Sequence, residues 1–233
     1  MTKIKENDFV EIEYTGKVPD LGIVFDTTDE LVAKENDLYN SRTHFGPVVV
    51  CVGHGYILSG LDSHLEGKEA NKEYTIRLSA EEGFGKKDGR LLKILPTNAF
   101  HRDSIKPMPG LQVNVDGMFG VIKTVTGGRS MVDFNHPLSG KELEYSVKIG
   151  RIVDADDEKV AAILRAKAGI RDAKVAISDG TVIVSVKKAI PEDAKGSLES
   201  GIREHLPQLN KVIFTIQKEE HLNSSKSSEE VKL

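Results

Sequence analysis

The fold is decided by residues 134–143, which read Phe134-Asn135-His136-Pro137-Leu138-Ser139-Gly140-Lys141-Glu142-Leu143. Two shorter stretches far upstream, Glu13-Tyr14-Thr15-Gly16 and Val24-Phe25-Asp26, belong with it. Each upstream stretch alone is common by chance, but the order and the spacing of all three form a specific combination. Residues 87–133, which precede the decisive stretch, differ in character from the rest of this part of the chain.

The composition favours one large folded domain or two to three small ones, because the chain has 233 residues and is 39% hydrophobic. A net charge of −4 gives no argument for nucleic-acid binding. No apolar run approaches the roughly 18 residues that cross a membrane, and residues 1–6 lack the apolar centre of a signal peptide. The single cysteine, Cys51, excludes an internal disulfide and is typical of a reducing compartment. We therefore expect a cytoplasmic protein with no nucleic-acid or membrane partner.

The spacing of apolar residues predicts a β-rich unit with one short helix. Apolar and polar side chains alternate over residues 10–14, 74–78 and 143–149, as they do in half-buried strands. Over residues 58–65, leucines recur at helical spacing. These elements predict an α+β fold in which an antiparallel sheet wraps around one short helix.

Residues 87–133 are interpreted as a compact set of short strands and turns, because glycines punctuate their short apolar runs. All three internal methionines, Met108, Met118 and Met131, fall in this segment. The sequence leaves two interpretations of them open, as core residues of a small domain or as flexible side chains for promiscuous contacts.

A further unit is predicted at residues 155–222, with the order αββαβ. The aspartates of Asp154-Ala155-Asp156-Asp157 offer an N-cap for its first helix, and Asp179-Gly180 is typical of a two-residue hairpin turn. The run of Ser, Lys and Glu over residues 223–233 predicts a disordered tail.

The three stretches together resemble the signature of the FKBP-type peptidyl-prolyl cis-trans isomerases. More narrowly, they resemble the SlyD-like branch, in which a small domain is inserted into the flap of the isomerase. The resemblance covers residues 4 to about 153 and leaves the rest of the chain unexplained. The domains that we expect are the FKBP domain at 1–86 and 134–154, the inserted domain at 87–133, the C-terminal domain at 155–222 and the tail at 223–233.

An isomerase of this kind needs no nucleophile, metal or cofactor. Rotation about a peptide bond costs about 18–20 kcal/mol because twisting destroys amide resonance. The twisted amide has less charge separation than the planar one, so an apolar pocket with little water favours it. The resemblance implies that such a pocket has catalytic residues Tyr14, Phe25, Asp26, Ile57, Phe84 and Tyr145, and substrate-binding residues Val48, Leu58, Leu61 and Leu138.

The resemblance also implies a role for individual pocket residues. Ile57 is expected to cover the proline ring and to offer its backbone N–H to a substrate carbonyl. Phe25 and Tyr145 are expected to form side walls. Tyr14 and Asp26 are expected to be hydrogen-bonded to each other, with Asp26 near the twisting amide.

Two residues depart from the family pattern. Leu61 stands at the pocket floor, where the minimal family often has Trp, and should make the floor roomier. Phe84 stands where the family usually has Tyr, whose hydroxyl bonds a substrate carbonyl. One hydrogen bond is worth roughly 0.5–1.5 kcal/mol, so we expect a several-fold loss of activity from Phe84.

Residues 30–43 are an extra lobe beside the pocket, with no predicted role.

For the remaining segments, the expected partners are unfolded or nascent polypeptides that contain proline. The resemblance implies that the inserted domain holds such chains on an apolar surface.

His136 is expected to order the loop at the domain junction, and no metal is expected, because residues 223–233 carry no His or Cys. The C-terminal unit carries no recognisable motif, and its helix faces and strand edges favour a homodimer.

The sequence therefore predicts a cytoplasmic prolyl isomerase and folding chaperone. Capture of unfolded chains by residues 87–133 should raise the local concentration of prolines at the pocket. Two alternatives stay open at this point: a non-catalytic holdase that keeps an FKBP frame, and a metallochaperone whose metal site the sequence does not display.

Overall fold

The computed structural model of the protein describes residues 2–103 and 106–217. The chain forms two compact units, Met1–Val153 and Asp154–Leu233. Its helices and strands are β1 (Phe9–Val18), β2 (Ile23–Thr27), α1 (Glu30–Glu35), β3 (Val48–Cys51), α2 (Ser59–Ser63), β4 (Lys72–Leu78), β5 (Leu92–Pro96), β6 (Gln112–Val115), β7 (Met118–Thr126), β8 (Arg129–Asp133), β9 (Leu143–Ile152), α3 (Asp156–Ala168), β10 (Lys174–Ser178), β11 (Thr181–Val186), α4 (Glu192–His205) and β12 (Lys211–Ile216). Short 3₁₀ helices lie at Pro19–Leu21, Gly89–Leu91 and Thr97–Asp103.

The main sheet of the first unit is antiparallel and has five strands. Its order is β2-β1-β9-β4, and β3 also pairs with β1. Strand β9 is central, since it pairs with β1 on one side and with β4 on the other. The alternation of apolar and polar residues in the sequence therefore corresponds to real strands, each with one face toward the core.

Helix α2 packs its leucines into the core of this sheet. Leu61 and Leu65 are fully buried beside Ile12, Ile149 and other apolar residues of the strands. The helix is only five residues long, so it is shorter than the leucine spacing over residues 58–65 suggests. Leu58 lies at its N-cap, and Leu65 follows it in a turn.

The extra lobe between β2 and β3 contains one short helix, α1. Asp29 caps it, since its Oδ1 accepts hydrogen bonds from the backbone N–H of Leu31 at 2.7 Å and of Val32 at 3.1 Å. Farther along, the ring of Tyr39 stacks on that of Phe45, with centroids 5.7 Å apart. The lobe is thus an ordered part of the first unit.

A separate antiparallel sheet lies between β4 and β9. Its order is β5-β8-β7-β6, and its core consists of Phe100, Val113, Ile122 and Val132. Phe100 comes from the 3₁₀ helix Thr97–Asp103, which covers one face of the sheet. None of the three methionines belongs to this core: Met108 and Met118 are exposed, and Met131 is half-buried. The core interpretation of the methionines is therefore wrong.

An ion pair and hydrogen bonds join the two chain segments that connect this sheet to the main one. Lys87 Nζ lies 2.8 Å from Asp133 Oδ2. The Asn135 side chain accepts a hydrogen bond from the Asp88 backbone N–H at 2.7 Å and donates one to the Asp88 carbonyl at 3.1 Å. The segment that leads into this sheet and the segment that leads out of it are therefore held side by side.

The second unit follows the order helix, strand, strand, helix, strand. Strands β10 and β11 form a hairpin through Asp179-Gly180, both with positive φ, and β12 pairs with β11 in parallel. The expected aspartate N-cap is wrong. Ala155 occupies that position, and Asp156 and Asp157 lie in the first turn of α3, where they complement the helix dipole.

The protein is thus a mixed α/β protein with mostly antiparallel sheets and few helices. Across residues 2–103 and 106–217, no helix is both long and apolar enough to cross a membrane. The predicted disordered tail at residues 223–233 lies outside the described residues.

Candidate functional site

A cavity of about 450 Å³, here called the aromatic cavity, opens beside the main sheet. It collects residues from β1, β2, α2 and β9 and from the loops before and after the inserted sheet. Its lining residues are Tyr14, Phe25, Asp26, Ile57, Leu58, Leu61, Phe84, His136, Leu138 and Tyr145.

The aromatic cavity contains all the site residues expected from the sequence except Val48. Val48 lies on β3 opposite Ile12, where it packs against the core of the main sheet. His136 is the lining residue that the sequence interpretation did not place in the site. It stands inside the decisive stretch, so its position next to Pro137 and Leu138 was the available signal.

Five rings form a continuous wall along the cavity. Tyr14 and Phe25 both meet Tyr145 edge to face, with centroids 5.9 and 5.7 Å apart. Phe25 also meets Phe84 edge to face at 6.2 Å. Phe84 in turn stacks on the imidazole of His136 at 4.3 Å, with the ring planes 9° apart. The wall is therefore a continuous series of packed aromatic rings.

Gly16 allows these rings to approach the sheet. It pairs with Asp26 on β2 and with Tyr145 on β9. A Cβ at Gly16 would lie 2.7 Å from the Tyr145 ring and 2.8 Å from the Phe25 ring. The glycine of the Tyr14-Thr15-Gly16 stretch is therefore required by packing, because any side chain there would displace two walls of the cavity.

One carboxylate, that of Asp26, faces the aromatic cavity. The Tyr14 hydroxyl donates a hydrogen bond to Asp26 Oδ2 at 3.2 Å. Loss of water around the carboxylate raises the pKa of Asp26, although the bonds from Tyr14 and the Thr27 backbone oppose the shift. Burial, followed by the nearby charge of Asp26, raises the pKa of Tyr145 as well, so its hydroxyl stays protonated.

The loop before α2 is held by a buried carboxylate, Asp62. Its Oδ1 accepts a hydrogen bond from the Gly53 N–H at 3.0 Å, and its Oδ2 accepts one from the Gly55 N–H at 2.8 Å. These bonds fix the loop that carries Ile57 into the cavity. Sequence reasoning missed Asp62, because an aspartate in a short helix usually lies on the surface.

The loop after the inserted sheet is tied to the segment that carries Phe84. The Ser139 hydroxyl donates to the Phe84 carbonyl at 3.0 Å, and the Gly140 N–H donates to the Gly85 carbonyl at 2.8 Å. Within the loop, the Ser139 N–H donates to the His136 carbonyl at 2.9 Å. These bonds hold His136 over Phe84 and Leu138 at the cavity wall.

A smaller cavity of about 240 Å³, here called the junction cleft, adjoins this loop. His136 lines both cavities, and Pro137 and Lys87 line the junction cleft only. The other side of the cleft is formed by the inserted sheet, including Phe119 and Val121. The two cavities are therefore neighbours that share His136 as a wall.

Another cavity, of about 400 Å³, lies over β1, β4 and β9, but its lining is largely polar and includes Glu13, Glu73 and Lys148. The aromatic cavity suits the chemistry of a prolyl amide better. Its largely apolar lining favours the less charge-separated twisted amide, while the Asp26 carboxylate offers a polar contact.

Comparison with known proteins agrees with this chemistry. Residues 1–107 match the family described as FKBP-type peptidyl-prolyl cis-trans isomerase, and residues 93–138 match the family described as FKBP26, IF domain. A short-type peptidyl-prolyl cis-trans isomerase of Methanocaldococcus jannaschii is 34% identical over 155 residues, which cover 66% of this chain and 98% of the relative.

SlyD proteins are similar as well. The FKBP-type peptidyl-prolyl cis-trans isomerase SlyD of Haemophilus influenzae is 28% identical over 164 residues, which cover 68% of this chain and 77% of the relative. SlyD of Escherichia coli is 31% identical over 112 residues, which cover 47% of this chain and 57% of the relative. The family resemblance of the sequence is thus confirmed, and the chain belongs to the FKBP-type peptidyl-prolyl cis-trans isomerases, with a SlyD-like character.

Proposed function

We propose that this isomerase acts on X-Pro bonds of unfolded or nascent polypeptides, which residues 87–133 capture before the aromatic cavity twists the prolyl amide. The observation that carries the proposal is the apolar surface of the inserted sheet. Short peptides can reach the cavity without this surface, whereas a long unfolded chain benefits from it. Activity on unfolded proteins should therefore exceed activity on short peptides.

The inserted sheet has two unlike faces. Val132 pairs with Ile122, and Val113 pairs with Gly120, on the face that is covered by Phe100. Side chains of the alternate register point the other way, to a surface here called the outer face. Its apolar residues are Leu92, Ile94, Phe119, Val121 and Met131.

The outer face exposes large apolar side chains between polar ones such as Asn114 and Thr124. Ile94 is 61% exposed and Phe119 is 77% exposed. A group of exposed apolar side chains on one face is typical of an interaction surface. Met131 adds a flexible side chain that adapts to different partners. These properties suit the loose capture of unfolded chains.

The outer face leads toward the aromatic cavity. Phe119 and Val121 belong to the outer face and also line the junction cleft. The far wall of that cleft is His136, which lines the aromatic cavity. A captured chain can therefore follow one surface from the inserted sheet to the site of isomerisation.

Within the aromatic cavity, we propose that Leu61 is the floor and that Phe25 and Tyr145 are walls around the proline ring. Ile57 covers the ring and offers its backbone N–H to a substrate carbonyl. Asp26, oriented by Tyr14, lies near the twisting amide. Each tenfold acceleration requires about 1.4 kcal/mol, so desolvation and one or two hydrogen bonds account for a rate acceleration of a few powers of ten.

A pair of substitutions tests the capture step. Leu92→Ser with Ile94→Ser removes two outer-face side chains that are 41% and 61% exposed. Leu21→Ser with Ile23→Ser is the matched control, because these residues have the same spacing, are both 54% exposed and lie at the β1–β2 turn. We measure isomerisation of a short proline peptide, a proline-limited refolding reaction and suppression of aggregation.

The outer-face pair should slow refolding catalysis at least tenfold and weaken aggregation suppression, while peptide isomerisation stays within twofold of wild type. The control pair should change none of the three. Equal losses of refolding catalysis in both pairs, or a parallel loss of peptide isomerisation, would contradict capture by the inserted sheet.

We also propose a cytoplasmic location and a homodimer through residues 155–222. The location rests on the single cysteine, which cannot form an internal disulfide. The dimer rests on the sheet of the second unit: Val182 and Val184 point into its core, whereas Ile183 is exposed on the opposite face. Ile183→Glu should shift a dimer to a monomer in analytical ultracentrifugation, and a mass unchanged by the substitution would argue against this face.

A further inference from the structure

We propose that His136 supplies the hydrogen-bond donor that Phe84 lacks, by donating its Nε2–H to a carbonyl of the bound substrate. The inference rests on the proposed use of the aromatic cavity. It gives His136 a direct contact with the substrate, in place of a role limited to ordering the loop.

The position of His136 matches this role. Its imidazole stacks on the Phe84 ring, with centroids 4.3 Å apart and planes within 9° of parallel. Both rings line the aromatic cavity. A polar ring therefore covers the side chain that brings no polar group, and the side chain of His136 is exposed.

The hydrogen bonding of His136 fixes which nitrogen carries the proton. The Leu138 backbone N–H approaches His136 Nδ1 at 3.2 Å. A backbone N–H can only donate, so Nδ1 is the acceptor and the proton of the neutral imidazole lies on Nε2. The ring thus keeps its donor on the nitrogen that the loop leaves for another partner.

The donor is also held in place before substrate arrives. Ser139 ties the loop to the Phe84 carbonyl at 3.0 Å and to the His136 carbonyl at 2.9 Å. Pro137 restricts the backbone of the residue before it to extended conformations. A donor that needs no reorganisation on binding is worth more than a mobile one.

A double-mutant cycle on short-peptide isomerisation tests the inference. The variants are His136→Phe, which keeps an aromatic ring for stacking but has no N–H, Phe84→Tyr, which brings a hydroxyl, and the combination of both. His136→Phe should lower kcat/KM about three- to tenfold when Phe84 is unchanged, the usual effect of one hydrogen bond. In the Phe84→Tyr background the same substitution should cost less than twofold, because the introduced hydroxyl replaces the lost donor.

The cycle separates donation from a structural role. His136→Phe also removes the acceptor of the Leu138 N–H, but this loss is the same in both backgrounds and cancels. Equal costs in the two backgrounds, or no cost in either, would overturn the proposal. Should His136→Phe fail to fold, Phe84→Tyr alone is a second test: a several-fold gain in kcat/KM would show that the donor was missing and would overturn the proposal, whereas a smaller gain supports it.

The same assay distinguishes a failure of His136 from a failure of the site. Short peptides do not require the outer face, so wild-type kcat/KM on them reports the aromatic cavity alone. If Asp26→Asn and Leu61→Ala left this rate unchanged, the proposed site would fall. If those variants lost activity while His136→Phe lowered kcat/KM equally in both backgrounds, only the proposed role of His136 would be contradicted.

Discussion

Replacing Gly60 by alanine should separate the floor of the aromatic cavity from Phe84. A Cβ at Gly60 would lie 2.2 Å from the carbonyl oxygen of Glu82 and 2.9 Å from its carbonyl carbon. Ordinary van der Waals contact begins near 3.4 Å, so α2 and Glu82 have to move apart by roughly 1 Å. Leu61 follows Gly60 directly, and Phe84 is two residues from Glu82, so the movement widens the cavity.

Neither side of this contact can yield easily. Glu82 Oε2 accepts hydrogen bonds from the N–H and the hydroxyl of Ser79, both at 2.8 Å. On the other side, Asp62 anchors α2 to the backbone of Gly53 and Gly55. We expect Gly60→Ala to reduce the free energy of unfolding of the first unit by about 1–3 kcal/mol, as overpacking does. A displacement of about 1 Å should lower kcat/KM on a short peptide roughly tenfold to a hundredfold.

Urea unfolding followed by tyrosine fluorescence measures the stability term, because all five tyrosines lie in the first unit. Gly196→Ala is the control. It makes the same chemical change in α4, where a Cβ would meet no atom within 4 Å. The control should leave the tyrosine transition and kcat/KM unchanged and stabilise α4 by about 0.5–1 kcal/mol. A Gly60→Ala protein with wild-type stability and activity would refute the packing argument.

Three further substitutions have expected outcomes. Asp26→Asn should stabilise the first unit at neutral pH, since burial raises the pKa of Asp26 and the folded state disfavours its ionised form. The gain in stability should vanish below pH about 4, where aspartate is protonated in the unfolded chain as well. Urea midpoints measured across this pH range would show the change. Asp62→Ala should cost about 2–3 kcal/mol in the same urea assay and lower peptide kcat/KM, because two backbone donors lose a buried carboxylate. Burial alone would raise the pKa of Asp133, but hydrogen bonds from Lys87 and Asn135 hold it at about 2; Asp133→Asn should therefore destabilise the protein at neutral pH but not below pH about 2, and equal losses at both pH values would contradict this.

The parts of the site that the sequence predicted are those tied to local pattern or to motif order. Tyr14 and Tyr145 stand on strands whose alternation is visible, and Leu138 stands inside the decisive stretch. The family resemblance assigned them to one pocket, and the pairing of β1 with β9 brings them together. The placement of Val48 in the site was not supported by such a contact: it lies on β3 and packs against the core.

The parts that the sequence did not predict depend on contacts between distant segments. Asp62 acts through the backbone of a preceding loop, and the need for Gly60 arises from Glu82, which is distant in sequence. The stacking of His136 on Phe84 joins the two ends of an insertion. None of these partners can be inferred from the spacing of residues in the sequence, because each contact joins segments that only the folded chain brings together.

The central position of β9 has a consequence for the order in which the protein becomes functional during synthesis. Strands β1 and β4 can pair through β9 only after the ribosome has made residues 143–152, and the whole inserted sheet is completed before then. Tyr145 and Leu138 also arrive late, so the aromatic cavity is among the last parts of the first unit to form. A chain that has emerged from the ribosome only as far as residue 140 would therefore already contain the whole outer face while it still lacks Tyr145 and β9.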